Sequence, residues 1–210
     1  MPVKKTSPTK AASKKVVTTK VAAKKVAPKK AAKKAPQSLP YEEGKWGEWF
    51  VRDKGERRYW LVKSEAESFS FDDLLASKNK TTYWDGVRNS AARNFLRDGM
   101  KKGDLAFFYH SMADPSAVAG ICEVVREGYP DESAFDKSHE YYDAESVRET
   151  PTWFMVDVRA VEKFKREVTL TEIKANPALA EMKLLKISRL AVVPVRKSEW
   201  DIIIKMSEKK

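Results

Sequence analysis

The first 37 residues differ so strongly from the rest of the chain that the two parts require separate treatment. Residues 1–37 contain twelve lysines but no arginine and no acidic residue, so this segment carries a charge of +12. The whole chain carries +11, which leaves −1 for the remainder. The apolar residues of the segment are small and scattered, and their burial cannot offset the entropy cost of ordering. We therefore expect a disordered tail, and only the remaining residues can form a packed domain.

The composition of the tail is typical of segments that bind polyanions. Lysines that neutralise phosphates release counterions, which gives affinity without sequence preference. The tail is similar to those of linker histones and bacterial histone-like proteins. Paired lysines are the predicted contacts to the nucleic-acid backbone: Lys4, Lys5, Lys14, Lys15, Lys24, Lys25, Lys29, Lys30, Lys33 and Lys34. A solubilising tail without a partner is the alternative, and an acidic membrane surface is a weaker one because the tail has no bulky apolar side chain to insert.

Residues 57–207 are predicted to form one domain, preceded by an aromatic linker at 38–56 that we expect to dock on it. A domain of this length can bury a core without disulfides. Cys122 is the single cysteine of the chain, which excludes an internal disulfide, and two histidines beside one cysteine do not favour a zinc site. We expect neither a metal nor another cofactor. The sequence leaves the oligomeric state open.

No segment approaches the roughly twenty apolar residues that a membrane-spanning helix needs, and the N-terminus lacks the apolar centre of a secretory signal. We expect an intracellular protein, in the nucleus of a eukaryote or in the cytoplasm and nucleoid of a bacterium. A mitochondrial presequence is the second reading of the basic N-terminus. It ranks lower because such segments favour arginine and an amphipathic helix.

Hydrophobic periodicity predicts a mixed α+β fold. Helices are expected to start at Ser70, at Asn89 or Ser90, and at Ser198, with Gly99 as the C-terminal cap of the second. A further short helix is expected to end near Asn176. The predicted strands cover residues 59–63, 105–110, 117–125, 153–164 and 190–195. Five or six strands among short helices indicate a sheet that curls or closes.

The segment Thr82–Asn89 contains the most unusual combination of side chains. Trp84 can stack a flat ligand, while Asp85, Arg88 and Asn89 can reach its polar edge, as recognition of an unpaired base requires. The alternative is that Trp84 belongs to the core and that the polar residues shape a turn and cap a helix.

The segment Phe107–Ser111 is the second candidate, because Tyr109, His110 and Ser111 could bind a ligand at the end of a strand. The alternative is that its rings fill the core and His110 is an ordinary residue at a strand end. The chain contains no phosphate-binding loop, no dinucleotide fingerprint and no zinc-protease motif.

These segments together resemble the EVE-domain family over about residues 57–206. The motifs that carry the resemblance are Tyr59–Glu65, Trp84–Asn89, Ala92–Leu96, Phe107–Ser111, Ala119–Gly120, Tyr129–Asp131, Tyr142–Asp143, Trp153, Met155–Val158 and Ser188–Leu190. The chain departs from the family at Ala66, where a proline is common after Lys-Ser-Glu.

The resemblance implies a PUA-like fold, a curled β-barrel flanked by helices, related to the YTH domains that hold methylated adenine. It also implies a pocket for a modified base, such as a modified cytosine. Trp84 looks like the main stacking residue, and Trp153 like a second wall. Candidates for the polar rim are Lys63, Ser64, Asn89, His110 and Ser111. Arg88 and Arg189 are candidates for contacts to phosphate or a base edge.

We therefore expect a non-enzymatic protein that binds nucleic acid, DNA more than RNA, with general affinity in the tail and discrimination in the domain. A histone-like protein that ignores base modification is the main alternative. An enzyme that processes modified nucleotides is the other, with His110 or Cys122 acting beside Asp85 or Glu65.

Overall fold

A computed structural model of the chain describes residues 46–209. The lysines assigned to backbone contacts, and the tail as a whole, lie outside these residues. In the described part, no helix is both long and apolar enough to cross a membrane. Residues 46–209 also contain no group of three or more His, Cys, Asp or Glu side chains that could hold a metal ion.

The domain is built on a curled, mixed sheet of six strands flanked by short helices, which confirms the predicted fold class. The strands lie in the order β2-β5-β4-β3-β1-β6. They are β1 (Tyr59–Glu65), β2 (Thr81–Trp84), β3 (Leu105–Ser111), β4 (Ala117–Pro130), β5 (Phe154–Thr169) and β6 (Val192–Val195).

The pairing of β1 with β3 is parallel, and every other pairing is antiparallel. β4 and β5 are long and change register at several points along their pairing. Such irregularities bend strands and increase their twist, which accounts for the curl. The parallel register sets Ser64 opposite His110 at the carboxyl ends of β1 and β3, so two of the candidate segments end at the same edge.

The helices are short, and their starts follow local sequence. α1 begins after Ser70 with the predicted capping box, in which Ser70 and Asp73 exchange hydrogen bonds. The helices are α1 (Phe71–Ala76), α2 (Ser90–Asn94), α3 (Leu170–Ala175), α4 (Lys183–Lys186) and α5 (Lys197–Ser207), and α2 continues into a π-helical turn at Phe95–Gly99.

Two predicted helix ends were wrong. α5 starts after Arg196 rather than after Ser198, because Glu199 accepts a hydrogen bond from the Arg196 amide (2.9 Å) and so fixes the first turn two residues earlier. Gly99 closes the π-helical turn without the left-handed conformation expected of a cap. Its lack of a side chain matters for packing instead, since a Cβ there would lie 3.0 Å from the Trp60 ring.

Aromatic rings make up much of the core. Phe107 stacks on Trp200 with centroids 3.9 Å apart, and the next residue of β3 is Phe108, whose ring contacts those of Phe71 and Trp84. The linker also packs on the domain. Trp46 and Phe50 both contact Phe95, so the packed unit extends beyond the predicted boundary at residue 57.

A group of polar side chains, here called the Asp104 cluster, fixes the segment before β1. Asp104 is 1% exposed and accepts hydrogen bonds from the Trp60 indole (2.9 Å), the Arg58 amide (3.0 Å) and the Arg52 guanidinium (2.9 Å). Each carboxylate oxygen thus has a donor, and the buried charge is paired with a cation.

Candidate functional site

Trp84 ends β2 and lies between the core and the surface. Its backbone pairs with Val156 of β5, and its ring packs edge-on against Phe108 with centroids 5.4 Å apart. The side chain is 8% exposed, so only a narrow strip reaches solvent. A base can stack there only along that strip, or after a neighbouring segment moves. The stacking role of Trp84 stays a prediction.

Arg88 holds two segments together, in an arrangement here called the Arg88 clamp. Its guanidinium donates to Asp131 (2.7 Å), to the Ser133 hydroxyl (3.2 Å) and to the Tyr141 carbonyl (3.0 Å). Further bonds to the carbonyls of Val87 and Tyr141 use its remaining donors. Every N–H donor of the guanidinium is thus bonded within the domain, and the contact of Arg88 with phosphate or a base edge stays a prediction.

Asp131 is the anion of the clamp and is completely buried. Burial alone would raise the pKa of this carboxyl, but hydrogen bonds from Ser133 and Arg88 outweigh it, and the pKa lies below its ordinary value. Asp131 also accepts a hydrogen bond from the Gly86 amide (3.1 Å). The charged carboxylate thus holds the turn after β2 from two sides.

Gly86 allows Tyr141 to lie against that turn. The glycine has φ of +70°, a conformation that side chains disfavour, and a Cβ at this position would collide with the Tyr141 ring. The Arg88 guanidinium lies 5.5 Å from the centroid of the same ring. Tyr141 is partly exposed, and burial raises the pKa of its hydroxyl, as do the negative charges of Glu140, Asp85 and Glu65. Tyr141 is therefore part of the candidate site, although the sequence did not predict it as a site residue.

Asp85 differs from the other carboxylates around it. The residue is half-buried, and among residues 46–209 no side chain forms an ion pair or a hydrogen bond with its carboxylate. Burial raises the pKa of this carboxyl, and the negative charge of Asp131 raises it further. The site therefore contains one acceptor for which the described residues provide no side-chain donor.

Trp153 lies on the other side of the Arg88 clamp. Its indole N–H donates to Asp143 (2.6 Å), and the guanidinium groups of Arg88 and Arg93 lie 5.3 and 5.9 Å from its ring. These contacts fix the ring orientation while leaving it partly exposed. The role of Trp153 as a pocket wall stays a prediction.

Asn89 is exposed and caps α2, since its side-chain oxygen accepts hydrogen bonds from the amides of Ala91 (3.0 Å) and Ala92 (3.1 Å). Asn89 therefore has the capping role that the sequence offered as the alternative to ligand binding. The cap orients the turn, and the side-chain NH₂ group makes no hydrogen bond to the described residues.

The predicted polar rim lies at the ends of β1 and β3, where its members bind to nearby loops. Lys63 donates to the Ser188 carbonyl (2.8 Å), and burial lowers the pKa of its ammonium. The hydroxyl of Ser64 donates to the Phe69 carbonyl (2.6 Å), and that of Ser111 to the Ser64 carbonyl (3.1 Å). These contacts connect the strand ends to each other and to the loop before α1.

His110 and Tyr109 complete this second group. The amide of Phe71 donates to His110 Nε2 (3.1 Å), so that nitrogen is unprotonated and the proton lies on Nδ1, which faces Glu167 at 3.8 Å. Tyr109 is buried, and burial raises the pKa of its hydroxyl. Arg189 is exposed and has no ion-pair partner in the described part of the chain.

The structure therefore places ten of the eleven predicted residues in two groups. Trp84, Asp85, Arg88, Asn89 and Trp153 surround the clamp, whereas Lys63, Ser64, Tyr109, His110 and Ser111 lie at the strand ends. Phe108 joins them, because its ring contacts both Trp84 and His110. Asp131 and Tyr141 also contact the group around the clamp, although neither was predicted as a site residue. The sequence signal for them was Gly86, because a glycine permits another segment to approach the backbone closely.

The thiol proposed for catalysis has no access to solvent. Cys122 is fully buried in β4, and burial raises the pKa of its thiol to about 12. A thiol with such a pKa does not form the reactive thiolate near neutral pH.

A family model described as the EVE domain matches residues 58–206. The chain belongs to the EVE-domain family. Thymocyte nuclear protein 1 of Gallus gallus is 42% identical over 169 residues, which cover 72% of this chain and 69% of that protein. The resemblance predicted from the motifs is thus confirmed.

Solved structures of the EVE family members share the fold. A hypothetical protein from Leishmania major is 46% identical, with a TM-score of 0.69, and the match covers 73% of this chain and 96% of that one. Human THYN1, solved in complex with DNA containing 5-methylcytosine, is 40% identical with a TM-score of 0.70, and the match covers 73% of this chain and 99% of that one.

Proposed function

We propose that this EVE-domain protein binds nucleic acid and recognises a modified base, with 5-methylcytosine in DNA as the first candidate. The observation that supports this most directly is the similarity of its whole domain to human THYN1, which was solved with DNA containing 5-methylcytosine. A modified base in RNA is the second candidate for the same site.

The geometry around the Arg88 clamp suits such a ligand. Trp84, Tyr141 and Trp153 offer aromatic surface, while the clamp fixes the turn that carries Asp85. Taking a base out of a duplex costs a few kcal/mol, and an aromatic stack returns about 1–3 kcal/mol. The pocket alone is therefore expected to bind weakly.

The lysine-rich tail would supply the remaining affinity. Its twelve lysines bind phosphates without regard to sequence and raise the effective concentration of the domain near the bases. We assign general affinity to residues 1–37 and discrimination to the domain.

A titration with oligonucleotides tests the proposal. Full-length protein is titrated with single strands that differ only in one 5-methylcytosine or cytosine, and tryptophan fluorescence is recorded. We expect tighter binding of the methylated strand, and loss of that preference in Trp84→Phe, which keeps a ring in the core but reduces the stacking surface. Trp200→Phe is the matched control, because Trp200 is similarly buried but packs on Phe107 elsewhere in the core. Equal binding of both strands by the protein without substitutions would refute the proposal for 5-methylcytosine.

A histone-like protein without base discrimination is the competing function, since the tail alone could bind DNA. Deletion of residues 1–37 distinguishes the two, with Ser38 onward retained so that Trp46, Trp49 and Phe50 still pack on the domain. Our proposal predicts a flatter salt dependence with a remaining preference for the methylated strand. The histone-like function predicts that almost all binding disappears.

We further propose that the protein is a binder rather than an enzyme. Cys122 is buried, and the Nε2 of His110 is occupied by the Phe71 amide, so neither is prepared for catalysis. Turnover of a modified nucleotide that is abolished by His110→Ala would overturn this statement.

The names of the relatives support a nuclear location for this protein, provided that its source is a eukaryote. Imaging of the tagged full chain tests this, and a signal confined to the cytoplasm would contradict it.

A further inference from the structure

The carboxylate of Asp85 has no side-chain donor within the site, although its neighbours are paired. Asp131 is bound by Arg88, Ser133 and Gly86, and Asp157 accepts the Tyr129 hydroxyl at 2.5 Å. Tyr129 is close enough to Asp85 to be affected by its charge, but its hydroxyl is already used on Asp157. The Arg88 donors are also used. His139 is also close enough to Asp85 to act on its charge, but among residues 46–209 no side chain forms a hydrogen bond or an ion pair with the Asp85 carboxylate.

The backbone on both sides of Asp85 is fixed. Trp84 is held in the sheet by its pairing with Val156, and the Gly86 amide donates to Asp131. Asp85 directly follows the proposed stacking residue, so its carboxylate starts one residue away from the indole. The carboxylate accepts a hydrogen bond from the backbone amide of its own residue but has no side-chain donor among the described residues. A half-buried carboxylate with so few donors is costly to keep charged, and a ligand that supplies a donor recovers part of that cost.

We infer that Asp85 makes the site select a pyrimidine with an amino group at position 4 over one with a carbonyl there. This inference rests on the proposed function and names the feature of the base that is read. A carboxylate accepts a hydrogen bond from the N4 amino group of cytosine, which is a known pairing in base recognition. Thymine places a carbonyl oxygen at that position, and the two acceptors repel.

Thymine and 5-methylcytosine form a matched pair of ligands for this question. They share the ring, the methyl group and the carbonyl at position 2, and they differ at position 4 and in the proton on N3. The N3–H of thymine lies between two carbonyl oxygens, so a carboxylate that approaches it also meets one of them. The methyl group cannot account for any preference between the two bases.

The experiment compares full-length protein and Asp85→Asn in competition binding to single strands that carry one 5-methylcytosine or one thymine. The unmodified protein is expected to favour 5-methylcytosine by about tenfold, in line with the discrimination of a good base contact. Asp85→Asn is expected to bring the ratio close to one, because an amide can donate to the carbonyl as well as accept from the amino group. Glu67→Gln removes one negative charge from an exposed turn and is expected to leave the ratio unchanged.

Strands that carry cytosine or uracil repeat the test without a methyl group. In each pair of bases, a preference for the base with the amino group that is lost in Asp85→Asn supports the inference. Equal binding of amino and carbonyl bases by the unmodified protein, or an unchanged preference in Asp85→Asn, overturns it. The proposed function fails separately, through equal binding of 5-methylcytosine and cytosine, so the two failures are distinguishable.

Discussion

The Asp104 cluster and the Arg88 clamp are both built from a buried aspartate and an arginine, but only the clamp lies beside a carboxylate that has no side-chain donor among residues 46–209. In the Asp104 cluster, a buried carboxylate receives donors from Arg52, Trp60 and the Arg58 backbone. The carboxylate of Glu56, which contacts Arg58, also has donors, in the Arg58 guanidinium and the Asp53 amide. Such an arrangement is complete within the protein, and its role is to hold the segment before β1 in place.

The Arg88 clamp also contains a buried aspartate that is bound by an arginine. The clamp differs from the Asp104 cluster because Asp85 lies beside it. Burial raises the pKa of the Asp85 carboxyl, and among the described residues no side chain donates a hydrogen bond to it. A structural polar cluster is expected to pair all its members, because unpaired buried groups cost free energy. Arg52 and Arg88 both bind a buried aspartate within the domain. The feature that distinguishes the candidate site is therefore the Asp85 carboxylate, which has no side-chain donor among the described residues.

Asp104→Ala is expected to have the largest effect on stability. It leaves Arg52 and the Trp60 indole without their shared acceptor, and loss of one partner of a buried ion pair costs about 3–5 kcal/mol. Urea unfolding at neutral pH measures this loss. The ratio of binding to methylated and unmethylated strands should not change, and a changed ratio would mean that the cluster also shapes the site.

Asp131→Asn should destabilise the domain less but affect binding more. The amide keeps the shape of the carboxylate but removes the charge that faces Arg88, and a hydrogen bond to a charged group is worth about 1.5–3 kcal/mol. The pKa of Asp131 is lowered, so its contribution is present at pH values above the ordinary carboxyl pKa and is lost as the pH falls through the folded-state pKa. Unfolding measured at neutral and at acidic pH should therefore show a smaller difference between variant and unmodified protein in acid.

Gly86→Ala should cost about 2 kcal/mol, through the positive φ and the collision with Tyr141. Gly55→Ala is the matched control, because Gly55 also has a positive φ but nothing lies near its Cβ position. That control should lose only about 1 kcal/mol from backbone strain. Equal losses in urea unfolding would show that Tyr141 moves aside freely.

Asp85→Asn should have the smallest effect, and its sign should be opposite. The folded-state pKa of Asp85 is raised, so the ionised carboxylate disfavours folding above that pKa and the penalty disappears as the pH falls below the unfolded-state value. Because Asp85 is partly exposed, we expect a gain below about 1 kcal/mol at neutral pH. A loss of stability in urea unfolding would indicate that the carboxylate has a partner within the folded protein.

The sequence predicted the elements better than it predicted the partners of polar side chains. The capping box at Ser70 and the hairpin of β3 and β4 follow from neighbouring residues, and both are present. Arg88 meets Asp131, which is 43 residues away in the sequence, and no local pattern gives that pairing. The structure consequently uses Arg88 internally, although its place in the motif suggested a ligand contact.

The short strand β2 and the Arg196 cap were missed for a similar reason. β2 has only four residues and gains its stability from pairing with β5, more than 70 residues later. Arg196 has no capping preference of its own, and Glu199 makes the cap. Asn89 was predicted both as a cap and as a site residue, and the structure settles the first of these roles only.

The position of β1 has a consequence for how the protein is made. This first strand lies between β3 and β6 and pairs with Val192–Val195, near the end of the chain. During synthesis, β1 leaves the ribosome long before β6, and pairing over such a separation closes late in folding. The domain therefore cannot complete its sheet until residue 195 has been synthesised and released from the exit tunnel, and a prematurely terminated chain would expose one edge of its first strand.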